Sequence, residues 1–183
     1  MAYPFNQTLW TTKKSSGTNK IKGIVIHHTA WWTFASNMKY LSSNPAQASV
    51  HFVIWENEER GKIWDPKDIL WHAWNGSWWE CNNVNTEFLW IEVVWYGEFN
   101  QWQFIALTDL VQYLMWTFNI PKEMIIRHSD CTQDREITRK KILWDWKRRS
   151  IKKDIWLNFF PKWFEAWRNQ LYPRTESRYG LYS

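Results

Sequence analysis

The feature that most constrains the fold is a short apolar, β-branched run that ends in two histidines. Residues 24–30 read IVIHHTA, which predicts a buried strand with His27 and His28 at its carboxyl end. A second apolar run, MII, precedes His128, and the segment KKDIWLNFF adds the carboxylate of Asp154. Two imidazoles and one carboxylate form a ligand set for a catalytic Zn²⁺ that keeps one position open for water. These residues predict a metal-dependent hydrolase.

Charge and cysteine content narrow the classes of protein to consider. The 183 residues are enough for one domain with its own core. Lys and Arg number 23 against 18 Asp and Glu, and the net charge of +5 suits an anionic partner such as a cell-wall polymer. We expect no nucleic-acid partner, because the basic residues cluster in one loop. The two cysteines, Cys81 and Cys131, are too few for a disulfide framework, although a single disulfide bond between them stays an alternative.

The amino-terminal residues bear on localisation. Residues 1–17 contain no apolar core of a secretory signal, and no run of about 18 apolar residues occurs anywhere. We therefore expect no membrane span. The expected location is the cytoplasm, or release by a non-standard route, with action on the cell wall.

Hydrophobic periodicity predicts strands that alternate with helices. This alternation favours an α/β fold, a single domain with a central mixed β-sheet flanked by helices. The strands are predicted at 21–28, 48–55, 62–64, 88–95 and 123–127, and the helices at 33–41, 104–118 and 160–171. The domain is predicted at 21–171 with an inserted basic loop at 131–153, between a lead-in at 1–20 and a tail at 172–183.

Five segments in this order, IVIHHTA, ASVHFVI, WHAWNGS, LWIEVV and IRHSD, carry a family resemblance. Together they resemble the zinc-dependent N-acetylmuramoyl-L-alanine amidases, a family that includes the peptidoglycan recognition proteins. The resemblance spans residues 21–171. It implies the amidase fold and hydrolysis of the amide between the lactyl group of N-acetylmuramic acid and L-alanine of peptidoglycan.

The resemblance also implies a metal site. His27 matches the first zinc ligand, His128 the second, and Asp154 the third. Residues 128 and 154 lie 26 positions apart, farther than is usual in the family, so an insertion between them is assumed. Cys131 stays open as the third ligand, because His128-x-x-Cys131 is a compact spacing and thiolate binds zinc well.

Three further residues match functional positions. Glu92 corresponds to the catalytic Glu, and a carboxylate there could move a proton from water to the leaving amine. Lys152 corresponds to the catalytic Lys, whose ammonium would stabilise the oxyanion, although a solvated basic loop is the alternative. His72 is expected to line the substrate groove. Glu92 could instead be a simple strand charge, but burial of such a charge is costly.

Two alternatives to the amidase function stay open at this point. One is a non-catalytic peptidoglycan-binding module of the same fold, which would follow if Asp154 did not reach the metal. The other is a nucleic-acid-binding protein, which explains neither the histidines nor Glu92. The expected partners are peptidoglycan or a muropeptide, and the expected state is a monomer.

The tryptophan content is abnormal. The chain has 18 Trp and only 6 Gly, whereas glycine usually makes up about 7% of residues. Several Trp stand where the resembled family has glycine, among them Trp74, Trp90, Trp95 and Trp156, while Trp31 and Trp32 stand in an expected flexible loop. We expect that a codon read as glycine in the source organism is rendered as Trp here, with Trp71 and Trp167 genuine. An aromatic surface for stacking on sugars is the alternative.

Overall fold

A six-stranded mixed sheet forms the centre of the computed structural model, which describes residues 4–8, 17–29, 34–43, 49–55, 57–72, 76–94, 100–131 and 164–171. The strands are β1 (Gln7–Thr8), β2 (Gly23–Thr29), β3 (Phe52–Ile54), β4 (Arg60–Lys62), β5 (Phe88–Val94) and β6 (Ile125–Arg127). The helices are α1 (Phe34–Ser43), α2 (Val84–Glu87), α3 (Gln101–Phe118), α4 (His128–Cys131) and α5 (164–170). The predicted α/β fold with a mixed sheet is confirmed.

The order of the strands is β1-β4-β3-β5-β2-β6, and only the β3–β4 pair is antiparallel among the pairs of the described sheet. The central strands β5 and β2 are long and apolar, as expected for strands covered on both faces. Gly23 opens β2 where the backbone passes between two neighbours. A Cβ there would lie 2.2 Å from Phe88 Cε1 and 2.6 Å from the Met124 carbonyl oxygen, so only glycine fits.

Helix α3 begins three residues before the predicted start. Asn100 and Gln103 form a capping box, in which each side chain accepts a hydrogen bond from the backbone N–H of the other residue. The helix ends at Asn119, whose φ of 52° is the left-handed conformation that closes helices. The apolar side chains of this helix from Leu107 to Met115 face the core, and Phe118 packs against it while partly buried.

The sheet separates two apolar cores. On one side, the α3 face, Ile24, Leu89 and Ile91 pack with the buried residues of α3 and α5. On the other side, the site face, Val25 and Trp90 pack with α1 and the segments at 63–70 and 81–84. Alternate residues of β5 point to opposite faces, which places Trp90 and Glu92 on the same face.

Some sequence predictions differ from the structure or lie beyond it. The reversal between β3 and β4 lies at 57–58, where Glu58 has a φ of 67°, and Gly61 is a strand residue paired with Val53. Of the strand predicted at 48–55, residues 49–51 are not in a strand. The inserted loop after Cys131, the tail at 172–183, Lys152 and Asp154 lie outside the described residues, so the predicted domain boundaries stay predictions.

Candidate functional site

The site begins with a contact between the central strands. His27 on β2 and Glu92 on β5 are direct partners in the parallel register. Both carboxylate oxygens of Glu92 lie close to His27 Nδ1, at 2.9 and 3.0 Å. Because a carboxylate can only accept, the proton resides on Nδ1, and the lone pair of Nε2 is left for another partner.

Electrostatics at this pair favour the charged imidazole. Burial opposes protonation of His27, but the adjoining Glu92 carboxylate outweighs burial and raises the pKa of His27 above its ordinary value. Glu92 itself is almost fully buried at 4% exposure. A buried carboxylate requires a partner, and His27 provides one.

His128 joins the pair from the edge of the sheet. Strand β6 lies beside β2 and ends at Arg127, so His128 is the first residue beyond it. The ring centroids of His27 and His128 lie 4.6 Å apart in an edge-to-face arrangement. The two histidines that the sequence predicts as ligands are therefore brought together at the carboxyl ends of adjacent strands.

A charge clasp holds the turn that carries His128. Arg127 Nε and Nη2 donate to the Asp130 carboxylate at 2.9 and 2.7 Å, and Asp130 Oδ2 also accepts from the Arg127 backbone N–H at 2.9 Å. Bidentate pairs of this kind set orientation as well as energy. Sequence reasoning missed this clasp, although the spacing of opposite charges across RHSD was an available signal.

Cys131 does not join the histidines as a thiolate in the described part of the chain. Its Sγ donates to the His128 carbonyl oxygen at 3.3 Å, and the side chain is 1% exposed. Burial raises the pKa of the thiol to about 12, so the group stays protonated. No group of three His, Cys, Asp or Glu residues within the described ranges could hold a metal ion.

The donor chemistry present is compatible with zinc. His27 and His128 supply two imidazoles from rigid strand ends, and the Glu92 carboxylate orients one of them, as carboxylates commonly do for metal-binding histidines. The third ligand predicted from sequence, Asp154, falls outside the described residues. The described residues therefore supply two of the three expected ligands.

His51 is a structural residue that sequence reasoning left without a partner. It is fully buried; its Nε2 donates to the Asp68 carbonyl oxygen at 3.1 Å, and its Nδ1 accepts the Trp90 backbone N–H at 3.0 Å. Only the neutral ring can make both bonds. Burial accordingly lowers the pKa of His51 to about 4.

His72 is partly buried, and both of its ring nitrogens are shielded from solvent. Neither ring nitrogen of His72 has a hydrogen-bond partner among the described residues, and its ring lies against the indole of Trp90. Burial, with smaller contributions from the neighbouring histidines, lowers the pKa of His72 well below its ordinary value. The predicted contact of His72 with substrate stays a prediction, since Trp90 occupies the space beside it.

None of the helices within the described ranges is long and apolar enough to cross a membrane.

Comparison with known proteins places this arrangement in context. The family model described as N-acetylmuramoyl-L-alanine amidase matches residues 17–141, more than half of the chain. The match includes His27, Glu92 and His128. No curated protein matches the chain closely enough to count as a relative.

Solved structures share the fold at low identity. PlyL is 18% identical over 80% of this chain and 94% of its own, with a TM-score of 0.60. The N-acetylmuramoyl-L-alanine amidase LysC from Clostridium intestinale URNW is 18% identical over 76% and 97%, with a TM-score of 0.52. AmiD from E. coli, solved with anhydro-N-acetylmuramic acid-L-Ala-D-gamma-Glu-L-Lys, is 21% identical over 65% and 52%, with a TM-score of 0.56. At these identities the likeness concerns the fold alone.

Proposed function

The chain belongs to the N-acetylmuramoyl-L-alanine amidase family, and we propose that His27, His128 and Asp154 hold the zinc ion of its reaction. It is a hydrolase of peptidoglycan that cleaves the amide bond between N-acetylmuramic acid and L-alanine. The observation that carries the assignment of residues is the group of His27, Glu92 and His128 at the ends of three adjacent strands.

Zinc, when bound, lowers the pKa of a coordinated water toward about 7 and polarises the amide carbonyl. Binding requires neutral imidazoles. Glu92 accepts the hydrogen bond from His27 Nδ1–H and so leaves Nε2 as the ring nitrogen available to a metal, which must displace any proton that Nε2 carries. The contact fixes the tautomer and the plane of the ring before a metal arrives.

Glu92 is proposed as the group that moves protons. It is held by β5 beside His27 and shielded from bulk water, which strengthens its interaction with a nearby proton donor. In the reaction Glu92 would take a proton from the attacking water and return it to the L-alanine nitrogen as the amide bond breaks. Glu92 would thus serve two functions, orientation of His27 and proton transfer.

Two other assignments complete the proposal. Lys152 would stabilise the negative charge that develops on the carbonyl oxygen, as an ammonium does for tetrahedral intermediates. His72 would contact the substrate, as the family resemblance implies. Neither assignment changes the role of Glu92.

The activity test uses purified peptidoglycan and the full chain. We expect release of new L-alanine amino termini without new reducing sugar ends, because an amide and not a glycosidic bond is cut. A chelator should abolish the release and added Zn²⁺ should restore it. Products with new reducing ends would overturn the bond assignment.

The third ligand is tested with a pair of variants. Asp154→Ala should lose stoichiometric zinc, measured by elemental analysis of the dialysed protein, as His27→Ala and His128→Ala should. Cys131→Ser is the matched control and should keep zinc, because the buried Cys131 thiol donates to the His128 carbonyl oxygen at 3.3 Å. The opposite result, zinc lost in Cys131→Ser and kept in Asp154→Ala, would assign the ligand to Cys131.

We also propose that the enzyme acts as a monomer on cell-wall peptidoglycan or its muropeptide fragments. Light scattering at working concentrations should give the mass of one chain, and a concentration-dependent increase would contradict this state.

A further inference from the structure

Among the described residues, indole N–H groups that are shielded from solvent occupy two kinds of environment. The indole N–H of Trp64 donates to the Leu41 carbonyl oxygen at 3.2 Å, and that of Trp167 donates to Thr108 Oγ1 at 2.9 Å. By contrast, the indole nitrogens of Trp78 and Trp90 are buried without a partner among the described residues. Buried indole N–H groups usually find a partner, so Trp78 and Trp90 are exceptions.

Trp90 also lacks room. Its ring centroid lies 3.0 Å from that of His72 at an interplanar angle of 40°, and 5.5 Å from that of His128. Packed aromatic rings usually keep their centroids about 4.5–7 Å apart. The space between His72 and His128 therefore does not accommodate an indole beside the imidazole of His72, and both nitrogens of that imidazole are left without partners.

A second, independent position, Trp79, has a backbone conformation that favours glycine. Trp78 and Cys81 exchange two backbone hydrogen bonds of 2.8 and 2.9 Å, which closes a tight two-residue turn. The first residue of that turn, Trp79, has a φ of 49°. A left-handed first position in such a turn favours glycine and disfavours a bulky side chain.

We infer that positions 79 and 90 are glycine positions of the functional enzyme, and that the protein made by its source organism carries glycine there. A codon translated as glycine in that organism and written here as tryptophan would account for both positions and for 18 Trp against 6 Gly. An aromatic surface for sugar does not account for Trp90, because its side chain is 1% exposed and cannot stack on a ligand.

The consequence for the site lies beside Glu92. Trp90 is two residues before Glu92 on β5 and shares its face of the sheet. Glycine at position 90 would open the space between His72 and His128 and free the His72 nitrogens to bond the muramoyl-alanine amide. This part rests on the proposed function, whereas the packing argument does not.

The test compares two buried tryptophans by thermal unfolding of the full chain. Trp90→Gly should raise Tm by about 2–4 °C, because an overfilled site is relieved. Trp167→Gly is the matched control and should lower Tm, because it removes a packed and hydrogen-bonded indole. Trp79→Gly should also raise Tm. A fall in Tm for Trp90→Gly as large as that for Trp167→Gly would overturn the inference.

Activity gives a separate readout. Trp90→Gly should hydrolyse peptidoglycan about tenfold faster or more than the parent protein. The reason is that a small displacement of the reacting groups, as the indole would cause, lowers the rate by at least that factor. A higher Tm with no hydrolysis in any variant would support the glycine inference and contradict the proposed function. A lower Tm for Trp90→Gly, together with hydrolysis by the parent protein, would contradict the glycine inference and support the proposed function.

Mass spectrometry decides the identity of the residues directly. Peptides that span positions 79 and 90, taken from the protein produced by its source cells, should have the masses of glycine-containing sequences. The tryptophan masses at both positions would overturn the inference, whatever the variants do.

Discussion

On the α3 face of the sheet, Leu110, Phe164 and Trp167 fill the space with apolar groups, and the one indole N–H among them is hydrogen-bonded. On the site face, Trp90 lies together with histidines and the carboxylate of Glu92. The first face is packed as interiors usually are, and the second retains unpaired polar atoms. This difference fits the proposed function, in which the reaction takes place on the site face.

The largest expected effect comes from the site face. Glu92→Gln should lower kcat/KM by about 10²–10⁴-fold, because the amide keeps the size of the side chain but cannot accept a proton from water. Its amide oxygen can still accept the His27 Nδ1 proton, so zinc content should persist. Hydrolysis of peptidoglycan and elemental analysis are the measurements.

Glu87→Gln is the control for this variant. Glu87 is also a buried carboxylate, but it accepts from Lys20 and Lys22 at 3.2 and 3.0 Å, away from the histidines. Its hydrolysis rate should stay close to that of the parent protein. Equal losses in the two variants would remove the distinction between a catalytic and a structural carboxylate.

The next effect belongs to the α3 face. Leu110→Ala should lower the free energy of unfolding by about 2–5 kcal/mol, because a fully buried side chain leaves a cavity. Its rate of hydrolysis at a temperature where it stays folded should not change. Ile105→Ala on the same helix, at 40% exposure, should change stability by about 0.5 kcal/mol or less. Loss of catalysis in Leu110→Ala without loss of stability would contradict the comparison, in which the α3 face has a structural role.

The third effect is a pH dependence of stability from the site face. The pKa of His51 is about 4 in the folded state and is near 6.5 when the chain unfolds, so between these values only the unfolded ring binds a proton. His51 should therefore lower the free energy of unfolding by about 3 kcal/mol as the pH decreases from 6.5 to 4, and His72, whose pKa is also lowered, should add to this fall. Denaturant unfolding across this range measures it.

His51→Gln sharpens this test. The variant should be less stable at neutral pH. In the window between pH 4 and 6.5, however, the difference in bound protons between its unfolded and folded states should be about one smaller than in the parent protein. An unchanged slope would show that His51 does not differ in protonation between the two states.

The smallest effect returns to the α3 face. Trp167→Phe removes the hydrogen bond to Thr108 Oγ1 and should cost about 0.5–1.5 kcal/mol of stability. A double-mutant cycle with Thr108→Ala should recover a coupling energy of this size. Zero coupling would mean that the indole of Trp167 contributes by packing alone.

Much of the fold was predictable because local patterns agree with the final structure. The runs around Ile24 and Ile91 are apolar on both sides and form the central strands. The start of α3 was missed, because the apolar stripe begins later than the capping box at Asn100 that starts the helix. The extent of β3 was overestimated, since alternation in sequence does not reveal where pairing partners end.

The same distinction holds for the candidate site, where the sequence indicates residues but not their contacts. In the sequence, His27 and His128 each follow an apolar run, and Glu92 is indicated by the family resemblance; their assignment as site residues stays a proposal. Their contacts were not identifiable, because the register of β2 on β5 decides whether residue 92 faces residue 27. The role of His51 depends on Asp68 and on the backbone of Trp90, which are distant in sequence.

By itself, the sequence determined the sheet-forming segments, the histidines at their ends and the surplus of tryptophan, since each is a property of neighbouring residues. The tertiary structure alone decided that Glu92 holds His27, that the clasp of Arg127 and Asp130 carries His128, and that Trp90 collides with His72. The reason is physical. Local sequence limits backbone conformation, whereas strand register and packing set which side chains share a volume, and chemistry depends on that shared volume.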